Sequence, residues 1–596
     1  MAARLEAYDF LFKIDTYIAC VISCASSITL FFLGGFYNTF TRHISTYTAL
    51  TIVLAAIMSA FLLFTLIIFD RLQIPRSVPF IQAMFFVLGM ASLRFFIRAL
   101  GHHINFSERK NIAIYGAGDF GRQLVEALKW DKQYRLCQVI DDNPELQGQS
   151  LGGLKIEGFD AARKKLMLNK IDTILLAMAN TPFDAHERIS EILAETAVKV
   201  KSIPDLASLI AGTADIVELR DIDIVDLLGR KPSEPDPKLL SKTITSKIVL
   251  VTGAGGSIGS ELCRQIASRA PKCLVMLDVS EFAVHTLSQE LAKLYPLLSL
   301  VPLIGSVQDQ SFVNKVMGRF AIDTVYHAAA YKHVPLMEQN VMQCITNNVF
   351  GTRNVATAAI TAQVEYFILV STDKAVNPTN FMGASKRLAE LVCKDISKTQ
   401  CATHFGIVRF GNVLGSSGSV VPHFKQQIAA GGPVTVTHAD ITRYFMTIPE
   451  AAQLVIQAGA LAKDGDIFVL DMGPPMKILD LAKKMVILSG KKPVMETDRL
   501  PCDGEIMISL TGLRPGEKMF EELSYGDNLT STTHPRIMKT DDEGFPCKSL
   551  EKFLDDLINA ISTNDHQRLV QIVRRVCGSV PSEKKSSDIF FNSNEI

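Results

Sequence analysis

The sequence predicts an α/β protein with N-terminal transmembrane helices, a small Rossmann-like domain, and a larger Rossmann domain with a smaller substrate-binding subdomain. Three observations predict this fold class. Three apolar segments open the chain, and each of two glycine-rich turns, at 116–121 and 253–259, joins a short apolar strand to a helical pattern. A strand, a glycine turn and a helix in that order are typical of a doubly wound sheet.

The composition of the 596-residue chain excludes several classes of protein. Lys+Arg and Asp+Glu are both 61, so the chain has no net basic field and we expect no nucleic-acid partner. Its eleven cysteines include no CxxC pair and no Cys/His cluster at zinc spacing. This pattern indicates thiols of a reducing compartment and predicts no metal site.

The apolar excess lies at the front of the chain, in segments 17–36, 48–69 and 80–97. The second segment has no charged residue and would form a helix about 33 Å long, enough to cross a bilayer. Acidic residues near the N-terminus disfavour a signal peptide. Residues 1–107 are therefore predicted to anchor the protein in the lipid of a bacterial inner membrane, with about three spans. A basic cluster after the third span predicts a cytoplasmic catalytic domain.

Four further regions follow the predicted anchor. Residues 108–212 read as the Rossmann-like domain and 213–246 as a polar linker. Residues 247–545 read as the catalytic domain, and 546–596 as a C-terminal helix and tail. The GxGxxG turn at 116–121 is a weak signal, because such domains often keep this turn without using it. Nucleotide binding and a purely structural turn both stay open there.

The turn at 253–259 is a stronger signal for a cofactor. Its glycines have the GxxGxxG spacing of extended short-chain dehydrogenases, in which backbone N–H groups of the turn face a pyrophosphate. The predicted contacts are Gly253, Gly256, Ser257, Ile258 and Gly259.

The predicted cofactor is NAD. Asp278 ends the next strand, where a carboxylate accepts hydrogen bonds from ribose hydroxyls and repels a 2′-phosphate. No arginine occurs at 279–282, which favours NAD over NADP. The alternative is a purely structural role, in which Asp278 only caps the following helix.

A third strand ends in small residues, Ala328 and Ala329, which would let the chain pass close beneath the cofactor. Lys332 and His333 follow at the mouth of the sheet and are predicted to bind substrate. His333 has an alternative interpretation as a loop histidine without a functional role.

The predicted reacting centre follows the strand at 367–370. Thr372, Asp373 and Lys374 lie at its C-terminal end, where such sheets bind ligands. Lys386 matches the lysine of the YxxxK pair of this superfamily, which holds the nicotinamide ribose, but Met382 stands where the tyrosine should be. A thioether cannot exchange a proton, so the base must be Thr372, Asp373, Lys374 or a water that they hold.

Several runs make a resemblance specific. They closely resemble bacterial membrane-bound UDP-N-acetylglucosamine 4,6-dehydratases of glycan and polysaccharide synthesis, and they occupy residues 328–336, 371–386, 409–413, 442–446 and 513–518. In the large branch of that family Met replaces Tyr, so Met382 supports the resemblance.

The resemblance implies a complete reaction. NAD takes a hydride from C4 of the sugar, Lys374 removes the C5 proton, Asp373 protonates the departing 6-hydroxyl, and hydride returns to C6. The substrate would be a UDP-linked N-acetylhexosamine and the protein a homo-oligomer.

Three further residues are assigned to the substrate. Asn412 lies in one of the matching runs, and Arg443 and Arg514 could clamp the pyrophosphate through bidentate contacts. Either arginine could instead be a surface ion-pair residue.

Three rival functions stay open. A nucleotide-sugar 4-epimerase would also hold NAD, but it needs no acid for O6. A polyprenol-phosphate sugar-1-phosphate transferase shares apolar spans and a Rossmann-like unit, but it lacks the turn at 253–259. A non-catalytic nucleotide sensor would have no need of Asp373, Lys374 and Lys386 together.

Overall fold

The structure is a computed structural model, and it divides the chain into two compact units. One unit contains residues 1–111 and 127–135, and the other contains 112–126 and 136–596. The residues that the structure describes are 14–33, 46–69, 75–103, 110–128, 133–168, 171–177, 199–202, 220–221, 234–399, 402–496, 501–514, 516–526, 528–542 and 550–577.

Three long helices make up the first unit: α1 (Ile14–Leu33), α2 (Thr46–Ile68) and α3 (Val78–His103). Polar side chains join them. The hydroxyls of Ser23 and Ser59 are 3.2 Å apart, and Gln82 Nε2 donates hydrogen bonds to both. Because Ser59 is only 1% exposed, these bonds satisfy groups that packing removes from water.

The predicted membrane location is contradicted by the structure. A helix that crosses a bilayer needs about 20 consecutive, mainly apolar residues. Across the described parts of the chain, no helix combines the length and the apolarity that a membrane span requires. The predicted multi-pass location therefore fails this test.

The second unit begins with a seven-stranded sheet in the order β3-β4-β2-β1-β5-β6-β7. A Rossmann-type pattern places the two earliest long strands at its centre, as the sequence predicts for this region. Its elements are β1 (Lys110–Tyr115), α4 (Asp119–Leu128), β2 (Tyr134–Ile140), β3 (Ser150–Leu151), β4 (Leu154–Glu157), α5 (Phe159–Leu168), β5 (Thr173–Leu176), β6 (Lys199–Ser202) and β7 (Arg220–Asp221).

The larger domain is built on a nine-stranded sheet in the order β10-β9-β8-β11-β12-β13-β18-β23-β22. The first seven are parallel, and β23 and β22 close one edge antiparallel. The strand order reverses direction at β8, so the loops after β8 and β11 open into one crevice at the carboxyl edge. The strands are β8 (Ile248–Thr252), β9 (Cys273–Asp278), β10 (Leu300–Ile304), β11 (Thr324–His327), β12 (Tyr366–Val370), β13 (His404–Arg409), β18 (Asp464–Leu470), β22 (Leu529–Ser531) and β23 (Ile537–Thr540).

Helices cover both faces of this sheet because its strands are apolar on both sides and two separate core clusters bury them. A π-helical turn (Thr346–Phe350) precedes α12. The helices are α6 (Pro237–Lys242), α7 (Ser257–Ala267), α8 (Glu281–Leu294), α9 (Gln310–Phe320), α10 (Val334–Glu338), α11 (Val341–Ile345), α12 (Gly351–Thr361), α13 (Phe381–Ser397) and α15 (Ile448–Leu461).

A smaller subdomain has its own apolar core, in which α14 and α16 pack on a three-stranded sheet of order β15-β21-β20. Its elements are β14 (Asn412–Val413), α14 (Val420–Ala429), β15 (Val434–Val436), β16 (Thr442–Arg443), β17 (Phe445–Met446), β19 (Met476–Lys477), α16 (Ile478–Leu488), β20 (Lys492–Met495) and β21 (Glu505–Leu510).

Both flanks of the catalytic domain differ in detail from the prediction. The predicted linker 213–246 contains α6, capped by Asp236 and docked on α15, where Lys242 Nζ donates to the Ala460 carbonyl. The single predicted C-terminal helix is two helices, α17 (Leu550–Ser562) and α18 (His566–Cys577), with Asn564 at φ 53° between them. The predicted tail after 578 lies outside the described residues.

Candidate active site

The glycine turn after β8 forms a cradle for an anion. Gly253 has φ +69°, and a Cβ on Gly259 would lie 1.9 Å from the Gly253 carbonyl oxygen. Gly256 caps α7 without any side-chain hydrogen bond, so the first N–H groups of that helix, which include those of Ser257 and Ile258, have no side-chain cap. A helix N-terminus of this kind binds phosphate.

Asp278 is fixed beside this turn. Its Oδ2 accepts a hydrogen bond from Gly255 N at 2.9 Å, and its Oδ1 accepts one from Ser280 N at 2.9 Å. Each oxygen retains a lone pair for another donor. The first bond ties the carboxylate to the glycine turn. The second reaches only the backbone of Ser280, and Ser280 itself caps α8, since its Oγ accepts from Ala283 N at 3.3 Å. Asp278 is therefore not the cap of that helix.

The floor of the crevice is the backbone after β11. A Cβ on Gly253 would lie 2.6 Å from Ala329 N and 2.8 Å from the carbonyl carbon of Ala328, so the two loops touch. Beneath them His327 bonds Thr252 Oγ1 at 2.7 Å and Thr352 Oγ1 at 3.0 Å. Burial lowers the pKa of His327 to about 3, which makes it a neutral structural histidine. No sequence pattern distinguished the buried His327 from the exposed His333.

The helix α13 carries Met382 and Lys386 one turn apart. Lys386 is 6% exposed, and its Nζ donates to the Val370 carbonyl at 2.7 Å. Burial lowers the pKa of Lys386 to about 8. Met382 is buried in a small cluster with Met337 and Cys344.

A carboxylate that the sequence analysis missed holds the start of α13. Glu338 Oε1 accepts a hydrogen bond from Phe381 N at 2.6 Å. Burial raises the pKa of Glu338 to about 7. Glu338 is the last residue of α10 and lies two positions after the matching run 328–336. An acidic residue directly after an apolar stretch was the only signal for it in the sequence.

Thr372, Asp373 and Lys374 come together in a single turn at the end of β12. Asp373 Oδ1 accepts hydrogen bonds from Thr372 Oγ1 at 2.8 Å and from Lys374 Nζ at 3.0 Å. Lys374 Nζ also donates to Asn412 Oδ1 at 3.0 Å. The other oxygen, Asp373 Oδ2, is buried and has no hydrogen-bond partner among the described residues. The Asp373 carboxylate thus contacts the Lys374 amine through Oδ1, and Oδ2 remains available to accept another hydrogen bond.

Lys374 has a second carboxylate neighbour, Glu521, which the sequence analysis also missed. Lys374 Nζ lies 3.5 Å from Glu521 Oε1. Burial alone would lower the pKa of Lys374, but the charges of Asp373 and Glu521 outweigh burial and raise it. The run 513–518 ends three residues before Glu521, so a wider reading of that run would have included it.

The predicted pyrophosphate arginines occupy different settings. Arg443 is buried, and its guanidinium contacts Glu517 Oε1 at 3.3 Å and Glu521 Oε1 at 3.6 Å. Arg514 is exposed, and its backbone N–H donates to Glu517 Oε2 at 3.1 Å. Glu517 therefore contacts both the Arg443 guanidinium and the Arg514 backbone. Arg443 is already ion-paired with Glu517 and Glu521.

Lys332 and His333 are exposed at the mouth of the crevice. His333 precedes α10, and a Cβ on Gly418 would lie 2.3 Å from His333 Cε1. The histidine therefore lies against the loop that leads into α14. Their roles toward substrate stay predictions.

Below the reacting turn lies a buried ionic cluster that no sequence pattern revealed. Ser371 Oγ donates to Glu390 Oε1 at 2.6 Å, and Arg409 contacts both Glu390 and Asp542 at 2.6 Å. Arg387 contacts the same two carboxylates at 3.2 Å. Two guanidinium groups thus balance two carboxylates directly behind the loop that carries Asp373.

The order of strands, the glycine turn after β8 and the lysine helix α13 define an extended short-chain dehydrogenase fold. Residues 249–542 match the family described as "Polysaccharide biosynthesis protein". The chain is also 38% identical over 588 residues to the capsular polysaccharide biosynthesis protein CapD of Staphylococcus aureus, an alignment that covers 96% of this chain and 95% of that protein. The chain therefore belongs to this polysaccharide biosynthesis family, which has the nucleotide-sugar epimerase/dehydratase fold.

Two further comparisons concern the catalytic domain alone. A UDP-glucose 4-epimerase of Rickettsia canadensis is 33% identical over 291 residues, which are 48% of this chain and 79% of that enzyme. The structure of DesIV, a dTDP-glucose 4,6-dehydratase from Streptomyces venezuelae with NAD bound, is 21% identical. It covers 47% of this chain and 88% of its own, with a TM-score of 0.40.

Proposed function

We propose that this chain dehydrates a UDP-linked N-acetylhexosamine, UDP-N-acetylglucosamine above all, to the 4-keto-6-deoxy sugar, for bacterial glycan or polysaccharide synthesis. One observation carries the proposal. Asp373 and Lys374 share a 3.0 Å contact at the carboxyl edge of the sheet, and the second oxygen of Asp373 has no hydrogen-bond partner in the described part of the chain. An acid and a base at one position are what elimination of water requires.

NAD fits the crevice as the cofactor. The cradle at Gly253, Gly256 and Gly259 would take its pyrophosphate, and Asp278 would take the adenosine ribose. Lys386 would hold the nicotinamide ribose. Bound NAD would supply the oxidation at C4 of the sugar and the matching reduction at C6.

The protein residues carry the proton transfers. Neutral Lys374 removes the acidic C5 proton, and protonated Asp373 donates its proton to the departing 6-hydroxyl, which leaves as water. This step ends with an ammonium beside a carboxylate, which is the ion pair that the structure contains. The ammonium returns its proton to C5 as C6 is reduced. The proton that oxidation at C4 releases then reprotonates the Asp373 carboxylate, which restores neutral Lys374 and protonated Asp373.

Met382 fits this division of labour. Its side chain fills an apolar cluster and offers no proton, so the oxidation step at C4 must deliver its proton elsewhere. Thr372 is the nearest hydroxyl in the turn, and its bond to Asp373 Oδ1 gives a proton a route to the carboxylate that elimination leaves behind.

A 4-epimerase is the second candidate, and the similarity to the Rickettsia enzyme favours it. An epimerase inverts C4 and leaves C5 and C6 untouched, so it has no use for an acid and a base on one turn. The pairing of Asp373 with Lys374 supports dehydration instead.

Mass spectrometry tests the proposal. The full chain is incubated with NAD and UDP-N-acetylglucosamine, and we expect a product lighter by one water. A product of unchanged mass that separates as the C4 epimer would establish the epimerase. Unaltered substrate would contradict both.

A further inference from the structure

Lys374 is contacted by two carboxylates rather than one. Its Nζ lies 3.0 Å from Asp373 Oδ1 and 3.5 Å from Glu521 Oε1. The same Glu521 oxygen lies 3.6 Å from Arg443 Nε. Glu521 therefore bridges the proposed base and a buried arginine, and the segment 516–526 brings it there from outside the sheet.

Glu521 is placed in a way that is costly for a carboxylate. Its side chain is only 4% exposed, and Oε2 has no hydrogen-bond partner within the ranges that the structure describes. Burial disfavours a charged group unless partners offset the lost hydration. Its charged neighbours among the described residues are Lys374 and Arg443, which indicates that the carboxylate acts on the lysine.

We propose that Glu521 is a positioning residue for the dehydration: it holds Lys374 Nζ and stabilises the ammonium that forms when Lys374 takes the C5 proton. This inference rests on the proposed function. In that step the C5–H bond breaks, an N–H bond forms on Lys374, and the electron pair from C5 expels the 6-oxygen. Asp373 protonates that oxygen, so atoms and charges balance without another reactant.

The charges around Lys374 determine in which direction its pKa should move when the Glu521 charge is removed. Asp373 and Glu521 favour the ammonium, and Arg443 from β16 opposes it. Arg443 is itself contacted by Glu517. Loss of the Glu521 charge leaves Arg443 less compensated, so the pKa of Lys374 should fall.

The first test is the pH dependence of kcat in Glu521→Gln, an isosteric and uncharged replacement. We expect the acidic limb to move to lower pH by about one unit or more, the usual effect of one close charge. We also expect kcat at the optimum to fall about tenfold or more, because a weaker base and an unsupported ammonium both slow the step. Glu521→Asp should return the limb toward its wild-type position.

The matched control is Glu522→Gln. This neighbouring carboxylate is exposed, contacts Lys518 at 3.7 Å, and belongs to no part of the proposed machinery. The acidic limb of its pH–kcat profile and its kcat at the optimum should match those of the wild type. An unmoved limb in Glu521→Gln, or an equal shift in Glu522→Gln, would overturn the inference.

A second measurement needs no turnover. Trace acetylation of the full-length protein with acetic anhydride over a pH range, read by mass spectrometry of the Lys374 peptide, reports the ionisation of this amine. Glu521→Gln should react at lower pH than the wild type, and Glu522→Gln should not. Identical curves in all three would reject the role of Glu521. If the Glu521→Gln curve shifts as expected but the wild-type protein never releases water from the substrate, the contact of Glu521 with Lys374 stands and the dehydratase proposal is rejected.

Discussion

At the scale of the residue, the proposed mechanism depends on the pair Asp373 and Lys374. Lys374 Nζ and Asp373 Oδ1 are 3.0 Å apart, and the charges of Asp373 and Glu521 outweigh burial and raise the pKa of Lys374. In the proposed reaction the amine must lose its proton before it acts as the base. Transfer of that proton to Asp373 would produce the base and the acid together on one turn.

Isotope exchange separates the roles of these residues. Lys374→Ala should abolish exchange of the sugar C5 proton with solvent deuterium, whereas Asp373→Asn should still allow it. Each variant should lose roughly 10²–10⁴-fold in kcat, the usual range for general acid–base steps. Met382→Leu is the control and should be mild, because the thioether carries no proton. Undiminished exchange in Lys374→Ala would assign the base role to another group.

Asp278 is predicted to govern the choice between NAD and NADP, also at the scale of the residue. Asp278→Ala should weaken NAD binding, measured by calorimetry, and should narrow the preference for NAD over NADP, because the carboxylate accepts from ribose hydroxyls and repels a 2′-phosphate. Asp309→Ala serves as the control. It removes the cap of α9, where Asp309 accepts from Phe312 N, so it should cost stability and leave NAD affinity unchanged.

At the scale of the element, α13, β13 and the chain after β23 are joined by the buried ionic cluster of Glu390, Arg409 and Asp542. Ser371, directly after β12, donates to Glu390. Burial alone would raise the pKa of Glu390, but Arg409 outweighs burial and lowers it. Tyr525 adds a contact from the segment 516–526, since its hydroxyl donates to the Ala375 carbonyl at 3.2 Å. The loop that carries the reacting pair is thus supported from beneath and from its far end.

Two adjacent aspartates test this support. Asp542→Asn should destabilise the protein by about 3 kcal/mol, because it leaves buried guanidinium charge without its partner. Asp541→Asn should stay within about 0.5 kcal/mol, since the Asp541 side chain is 97% exposed. Urea unfolding measures both. Equal midpoints for the two variants would mean that the cluster contributes little.

The contact between α10 and α13 predicts a pH dependence. The pKa of Glu338 is raised to about 7, above the ordinary value of 4.5, so the folded state favours the protonated acid. Its contribution is fully present below about pH 4.5 and is lost as pH rises through 7. Glu338→Gln should remove this loss, so thermal unfolding of the variant should change less between pH 5 and pH 8. A parallel decline in wild type and variant would contradict the assignment.

At the scale of the whole molecule, the seven-stranded and the nine-stranded sheet each carry a glycine turn, and the two turns have unequal proposed roles. A Cβ on Gly118 would meet nothing within 4 Å, and one on Gly256 would meet only the Gly253 carbonyl oxygen, at 3.3 Å. Alanine at either position should therefore fold. A loss of activity in either variant can therefore be attributed to the turn itself and not to misfolding.

Gly256→Ala should lower NAD affinity and kcat, because a methyl group would project where the backbone must approach a phosphate. Gly118→Ala should leave both nearly unchanged if the first sheet is structural. Calorimetry with NAD and the mass assay measure the two effects. Equal loss from both substitutions would show that the first sheet has a ligand that matters.

Local sequence was enough to predict the strands, the glycine turn and the reacting loop. The turn at 253–259 depends on residues that are consecutive in the chain, and Thr372, Asp373 and Lys374 share one turn, so short-range spacing determines their geometry. The apolar front misled the prediction, because hydropathy alone does not show how polar side chains such as Ser59 and Gln82 pair between helices.

Only the tertiary structure decided which distant charges meet. Glu521 lies 147 positions after Lys374, since 521 − 374 = 147, and no periodicity connects them. Asp542 reaches Arg409 only because β23 joins the sheet antiparallel beside β18. Spacing along the chain determines local geometry, but the ionisation of a buried group depends on every charge that folding brings within a few ångströms. For that reason the sequence alone was enough to propose Asp373 and Lys374 as the reacting pair, whereas the fold determined which carboxylates and arginines lie close enough to affect their ionisation.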